Sequence, residues 1–314
     1  MRETAHIPST TTNKQSKRSG SRIRHIVVGY LFLLPAMIVL LVFLLYPVTY
    51  GAVLSFYDYT ILSPPEFTGF ENFQRLWNDS IFHTSLLHSV QYLLVVPIIQ
   101  IVSFGLAMLV NHKIPGMAFF RAAFYVPVIT AAVVVALAWQ WIFDLEYGLL
   151  NAWLQDLRII SEPVAWLDQP AIALWSIMFV TFWRGLGFYM VIYLAGLQGI
   201  PRELEEAAAM DGVGRWQRLW YITIPLMMPT IAFCSIWSSI AALKVFDEVL
   251  VMSRPNPGGP ANSTMVVNLL MYLTAFDDFD FGYAAAQGLV LAGIIMIFTL
   301  LNLRFFRSGL ERIG

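Results

Sequence analysis

Residues 205–226 read EEAAAMDGVGRWQRLWYITIPL, a short acidic and alanine-rich stretch between two long apolar runs. Pro201, just upstream, suits the first turn of a helix, where its missing N–H costs nothing. Glu203, Glu205 and Glu206 then fall in the opening turns and complement the positive end of the helix dipole. Ala207, Ala208 and Ala209 are strong helix formers with little bulk, and Gly212 suits a left-handed stop. The stretch predicts a thin helix of about ten residues with a sharp exit. Trp216, Leu219 and Trp220 form a second amphipathic piece, and Pro225 and Pro229 mark the return into apolar sequence. By composition alone, this is a surface helix linking two spans.

The flanking sequence says what kind of spans. Of 314 residues, 58% are hydrophobic and 12% charged, against about 45–50% and about 25% in soluble domains. The apolar residues gather into uncharged runs: Val27–Tyr57, Thr84–Asn111 apart from His88, Ala122–Phe143, Gln169–Trp183, Leu219–Leu243 and Phe281–Leu303. Crossing about 30 Å of hydrocarbon takes about 20 apolar residues. The fourth run reaches that length when Arg184 is allowed inside it, continuing from Gly185 to Ile200. An all-α, polytopic membrane protein with six transmembrane helices is expected. Its domains are a basic tail over residues 1–25 and a six-span domain over 26–314, with the quoted stretch in a loop over 198–225.

The tail holds Lys14, Lys17, Arg18, Arg22 and Arg24. A signal peptide also starts basic, but its apolar region is shorter and ends in a small-residue cleavage pattern that is missing before Pro47. An uncleaved anchor is the expectation. With six spans, one side collects the tail, Lys113, Arg121, Arg202, Arg215, Arg218, Arg304, Arg307 and Arg312. The other holds only Arg75, Arg158 and Arg254, together with most of the acidic residues. Lys/Arg bias marks the cytoplasmic side, so both termini and the 198–225 loop are expected there. Trp77, Trp139, Trp141, Trp153 and Trp166 fall near the outer boundary, as an aromatic belt would. The tail is also able to touch anionic membrane lipid. The net charge of −1 gives no reason to expect a nucleic-acid partner.

Glu206-Ala207-Ala208, Gly212 four residues on, and Ile222-x-Ile224-Pro225 resemble the EAA loop of ABC-importer permeases. That loop reads Glu-Ala-Ala, three residues, Gly, nine residues, Ile-x-Leu-Pro; this chain differs in Ile224. The resemblance implies an ABC-importer permease fold whose cytoplasmic coupling helix docks in a cleft of an ATPase subunit. Glu206, Ala207, Ala208, Asp211, Gly212, Ile222 and Pro225 would make that coupling. It extends from about residue 25 to the C-terminus. FYDYTILSPPEFTGFENFQRLW, AFYVPVITAAVVVALAWQWIF and GGPANSTMVVNLLMYLTAFDDFDFGYAAAQ are all similar to carbohydrate-uptake permeases. The last of these resembles the maltose-type first permease subunit. The implied partners are a homologous second permease, an ABC ATPase dimer, an extracytoplasmic solute-binding protein and a sugar. The implied location is the bacterial inner membrane.

No Gly-x4-Gly-Lys-Ser/Thr occurs: Lys14, Lys17, Lys113 and Lys244 are followed by Gln, Arg, Ile and Val. A P-loop needs that lysine and hydroxyl for phosphates and magnesium. ATP and magnesium are therefore expected on a partner ATPase, with no cofactor in this chain. His-Glu-x-x-His and Gly-x-Ser-x-Gly are also missing, so no catalytic residue and no enzyme is expected. The single cysteine, Cys234, lies in an apolar run. His83 and His88, five apart, do not share a helical face as a metal pair would. No metal site is expected, and both read as boundary groups.

Ionisable groups inside spans are expensive and often functional. Arg184 lies halfway along span four, and Lys244 about two-thirds of the way out along span five. Asp247 and Glu248 sit three and four residues beyond Lys244, so either carboxylate can neutralise it on one helical face. That is a self-satisfied salt bridge, or a polar patch facing a cavity. The resemblance implies the second, and places substrate contacts at Gly185 and Phe188 on span four and Ile240, Leu243, Lys244 and Asp247 on span five. Phe188, Tyr189, Phe246 and Tyr283 are candidates for stacking on a sugar ring. A glycerol-phosphate permease and an ion-driven secondary transporter, with Asp247 and Glu248 as its acids, are the alternatives.

Overall fold

A computed structural model describes residues 15–111 and 115–310, with backbone alone at 15–27, 205 and 307–310. Lys14, Lys113 and Arg312 of the charge pattern lie outside the described residues, as do residues 1–14 of the tail. The chain divides into two compact units, residues 1–53 and 54–314.

In the first unit, α1 (Gln15–Leu40) runs through a wide π turn, Leu41–Leu45, into α2 (Tyr46–Leu54). Proline 47 explains the turn. It has no N–H to give and its ring clashes with the carbonyl four residues back, so the Tyr46 N–H reaches instead to the Leu41 oxygen, five residues back. Val28–Leu54 has a mean hydropathy of 2.8, which is long and apolar enough to cross a membrane.

The second unit opens with a hairpin, β1 (Tyr57–Thr60) against β2 (Ser63–Phe67), pairing Tyr57 with Phe67 and Thr60 with Ser63. There follow α3 (Glu71–Asn78), α4 (Ser80–Gln91), α5 (Val95–Val110), α6 (Met117–Ile129), α7 (Ala132–Ile142) and α8 (Leu149–Asp156). Then come α9 (Pro170–Gln198), α10 (Arg202–Met210), α11 (Arg215–Arg218), α12 (Ile224–Leu243), α13 (Asp247–Met252), α14 (Val267–Phe276) and α15 (Phe281–Leu310). Ser80–Val110, Pro170–Gln198, Arg215–Met252 and Phe281–Phe306 each qualify as spans, making five among the described residues with the first.

The third apolar run, Ala122–Phe143, differs from the straight helix its sequence suggests. Its halves, α6 and α7, meet at 99°. Thr130 and Ala131 are extended between them (ψ 137 and 136), and α6 already carries Pro127, which removes a hydrogen bond near its end. Counting the broken pair as one span gives six.

The long helix α9 is the axis of the second unit, because three glycines let its neighbours approach. A Cβ on Gly187 would run into the Phe124 carbonyl of α6, one on Gly185 would lie 2.6 Å from Ile99 Cδ1 of α5, and one on Gly196 2.8 Å from Met227 Cε of α12. Small residues at crossings are the usual way for helices to associate in lipid, where no hydrophobic effect drives them together. Tyr92, Ile177, Met190, Tyr193 and Met227 are fully buried around this axis. The polar groups inside satisfy one another. Tyr193 OH donates to Gln100 Oε1 at 2.6 Å, and Gln100 Nε2 donates to Ser238 Oγ at 2.8 Å and the Cys234 carbonyl at 3.2 Å.

At the opposite end from α10, Arg75 ties α3 to α15 through Asp280 (2.6 Å) and lies 3.9 Å over the Tyr283 ring. Tyr283 donates to Asp79 (2.6 Å), whose other oxygen caps α4 at the Ile81 N–H. Tyr283 is thus a buried staple rather than a stacking surface for cargo, because its hydroxyl and ring are both engaged. His88 Nδ1 meets the Met265 carbonyl at 2.9 Å and His83 Nε2 the Trp77 carbonyl at 2.7 Å. Trp77, Trp141 and Trp153 are exposed; Trp139 and Trp166 turn inward, the latter donating to Asn151 Oδ1 at 2.9 Å.

Candidate functional site

Thr181, Arg184, Gly185 and Phe188 recur at three- and four-residue spacing, so they share one face of α9. Tyr92, Val95, Val96 and Ile99 do the same from α4–α5, and Trp237, Ser238, Ala241 and Ala242 from α12. These faces enclose a cavity of about 400 Å³, closed further by Lys244, Phe246, Asp247 and Glu248. Small-molecule sites commonly occupy about 300–1,000 Å³.

Four of the six expected contact residues, Gly185, Phe188, Lys244 and Asp247, line this space. Ile240 and Leu243 do not. They lie three apart on the side of α12 turned away from Ser238, and Leu243 is buried at 1% exposure. The walls also hold Tyr92, Thr181, Trp237 and Ser238, which the sequence reading passed over. A tyrosine in an otherwise aliphatic run was the one available signal for the first: Tyr92 OH and Thr181 Oγ1 are 2.8 Å apart across the wall. Of the stacking candidates, Phe188, Tyr189 and Phe246 face the cavity.

The charged residues are not arranged as a continuous span five would place them. Helix α12 stops at Leu243, Lys244 is its C-terminal cap, and α13 starts at Asp247 after a break at Phe246 (φ −148, ψ −59). Asn268 Nδ2 holds the Lys244 carbonyl at 2.8 Å, taking the oxygen that a continued helix would use. The break removes the i,i+4 relation, so Lys244 does not pair with Glu248. Among the described residues, Glu248 pairs instead with Arg184 Nη1 of α9, and Lys244 and Asp247 form no ion pair. Arg184 Nε is buried without a hydrogen-bond partner. The site offers aromatic faces, hydroxyls and a directed guanidinium donor, a set suited to a polyhydroxyl ligand.

The second candidate region lies at the far end of the long helices. Helix α10 exposes Glu206, Ala207 and Asp211 beyond its end, while Ala208 is buried. Its stop is a Schellman motif: the Gly212 N–H reaches the Ala209 oxygen (3.2 Å) and the Val213 N–H the Ala208 oxygen (3.0 Å). Gly212 takes φ +71 there, the left-handed conformation its position called for. Ile222 lies in a second π turn, Leu219–Thr223, which precedes Pro225 as the first precedes Pro47. The loop therefore presents a short helix locked at its C-terminal end.

The comparisons with known proteins agree with this architecture. The chain is similar to the lactose transport system permease protein of Rhizobium radiobacter, 37% identical over 93% of this chain and 98% of that protein. It is also similar to the trehalose/maltose transport system permease protein of Thermococcus litoralis, 31% identical over 91% and 96%. A bacterial ABC transporter involved in import of the acidic polysaccharide alginate shares the fold, with a TM-score of 0.81 over 93% of this chain and 99% of that chain at 23% identity. The profile of binding-protein-dependent transport system inner membrane components matches residues 101–308, and the chain belongs to that family.

Proposed function

We propose that the chain is the first permease subunit of an ATP-driven, binding-protein-dependent sugar importer, forming half of the translocation path beside a homologous second permease. The cavity carries this reading. It combines stacking rings (Phe188, Tyr189, Trp237, Phe246) with hydroxyls and a guanidinium donor at the depth of the long helices, and the lactose and trehalose/maltose relatives are named for sugars. The partner ATPase dimer docks on α10 through Glu206, Ala207, Ala208, Asp211 and Gly212, with Ile222 and Pro225 setting the entry of the chain into α12. That partner holds ATP and magnesium, since this chain has no P-loop sequence. The Lys/Arg asymmetry puts both termini and α10 on the cytoplasmic side, so the solute-binding protein meets the Arg75–Asp280 end. The work of the chain is conformational, and no residue in it breaks a bond.

The test is uptake by proteoliposomes containing both permeases and the ATPase, with binding protein added outside. Neutral disaccharide should accumulate only with ATP and binding protein present. Uptake driven by an ion gradient without the ATPase, or of glycerol phosphate in preference to every sugar, would overturn the proposal.

A further inference from the structure

The cavity contains four charged side chains, Arg184, Lys244, Asp247 and Glu248. Two are cations and two are carboxylates, so their formal charges cancel. They are not equivalent. Glu248 is the most enclosed, with 7% of its side chain exposed, and is bound to Arg184 Nη1. Arg184 retains 31% exposure on the cavity wall and a buried Nε–H without a partner. Held this way, the guanidinium keeps its planar donor geometry while Glu248 takes up its charge. Thr181, one turn away, and Tyr92 across the wall add only neutral hydroxyls. Lys244 and Asp247, exposed at the broken end of α12, bring one further charge of each sign.

Charge matters more here than in water, because a bare cation in a poorly solvated cavity interacts several times more strongly with an anion. An unmasked Arg184 would make the cavity an anion site. We propose that Glu248 is a specificity-determining residue: by masking Arg184 it makes the cavity accept uncharged polyhydroxyl cargo and reject phosphorylated, sulfonated or carboxylated sugars. The inference rests on the sugar-importer reading and narrows its substrate class. The masked arginine orients a hydroxyl through its remaining N–H, whereas the same arginine without Glu248 would hold an oxyanion.

The experiment uses the assembled complex, both permeases with the ATPase dimer, in nanodiscs without nucleotide. Radiolabelled sulfate serves as a cargo-independent anion, and binding is scored above that of the Arg184→Gln/Glu248→Gln double variant, which removes both charges and corrects for sulfate held by the ATPase. Wild type should show no excess. Glu248→Gln should bind sulfate about tenfold or more tightly than wild type. Asp247→Asn leaves the Arg184–Glu248 pair whole and should bind no more sulfate than wild type; a gain equal to that of Glu248→Gln would make net cavity charge, not the masking of Arg184, the determinant and overturn the proposal. A Glu248→Gln complex that assembles and binds sulfate no better than wild type overturns the proposal. If that variant does not assemble, a wild-type complex that binds sulfate above the double variant overturns it equally. Lactose, maltose and trehalose are titrated in parallel. Failure of all three on wild type counts against the sugar reading, while the sulfate arm alone decides the masking.

Discussion

Gly212→Val would place a β-branched side chain at φ +71, in the left-handed region that closes α10. A Cβ at this position meets nothing within 4 Å, so no clash contributes and the cost is backbone strain alone. That strain is roughly 1–2 kcal/mol for an L-residue, enough to lower the population of the closed stop about 5- to 30-fold. The bonds at risk are Gly212 N–H to the Ala209 oxygen and Val213 N–H to the Ala208 oxygen, at 3.2 and 3.0 Å. Asparagine tolerates left-handed φ better than other side chains, so the series Gly212→Asn, Gly212→Ala, Gly212→Val should fall in that order. The readouts are ATPase co-purification and substrate-stimulated ATP hydrolysis by the complex in lipid, with membrane insertion unchanged throughout. Equal stimulation and full ATPase retention across the series would refute the coupling role and make α10 a linker.

Glu206→Lys, which reverses an exposed charge at the middle of α10, should weaken ATPase retention in the same assay; retention at the wild-type level would count against docking through that face. Lys244 has no ion pair to lose among the described residues, so Lys244→Met should impair uptake without lowering the melting temperature; normal uptake with a lowered melting temperature would reject its place in the cargo path. Gly187→Ala pushes a methyl into the Phe124 carbonyl and should destabilise the complex by about 1–3 kcal/mol, seen as a lower melting temperature. Pro257→Cys, at an exposed position, should label with an impermeant thiol reagent from outside intact cells; labelling only after lysis would reverse the orientation.

Most of the span pattern was legible because long uncharged runs have few other uses, and Arg184 inside the fourth run did not obscure it. Two breaks were not legible, for different reasons. In the third run, Pro127 gave a warning, but the extended pair Thr130–Ala131 carries no turn chemistry of its own. In the fifth, Lys244, Val245 and Phe246 contain neither glycine nor proline, and the Lys244 carbonyl at the helix end is met by Asn268, 24 residues later, a contact no local pattern announces. The break at Phe246 also separates Lys244 from Glu248. Local spacing pointed from Glu248 to Lys244, whereas its partner lies 64 residues upstream. Gly185, Phe188, Lys244 and Asp247, contacts expected from the family pattern, line the cavity, whereas Ile240 and Leu243, expected from the same pattern, do not. Gly212 needed neither, since a helix of alanines followed by glycine states its own ending.

The π turn at Leu219–Thr223 sets a mechanical phase. Because Pro225 withholds its N–H, the Ile224 N–H closes a ring five residues back on Leu219. That turn therefore contains one residue more than an α-helical turn would, which displaces everything beyond it by about 100° around the axis. Exposed α10 and α11 lie on one side of this offset, and the cavity face of Trp237, Ser238 and Ala241 on the other. Deleting one residue between 219 and 223 would leave both ends locally intact yet point them in directions that no longer correspond. The proline and its wide turn thus work as an indexing joint: they fix the direction of the cavity face of α12 relative to the loop that precedes the turn.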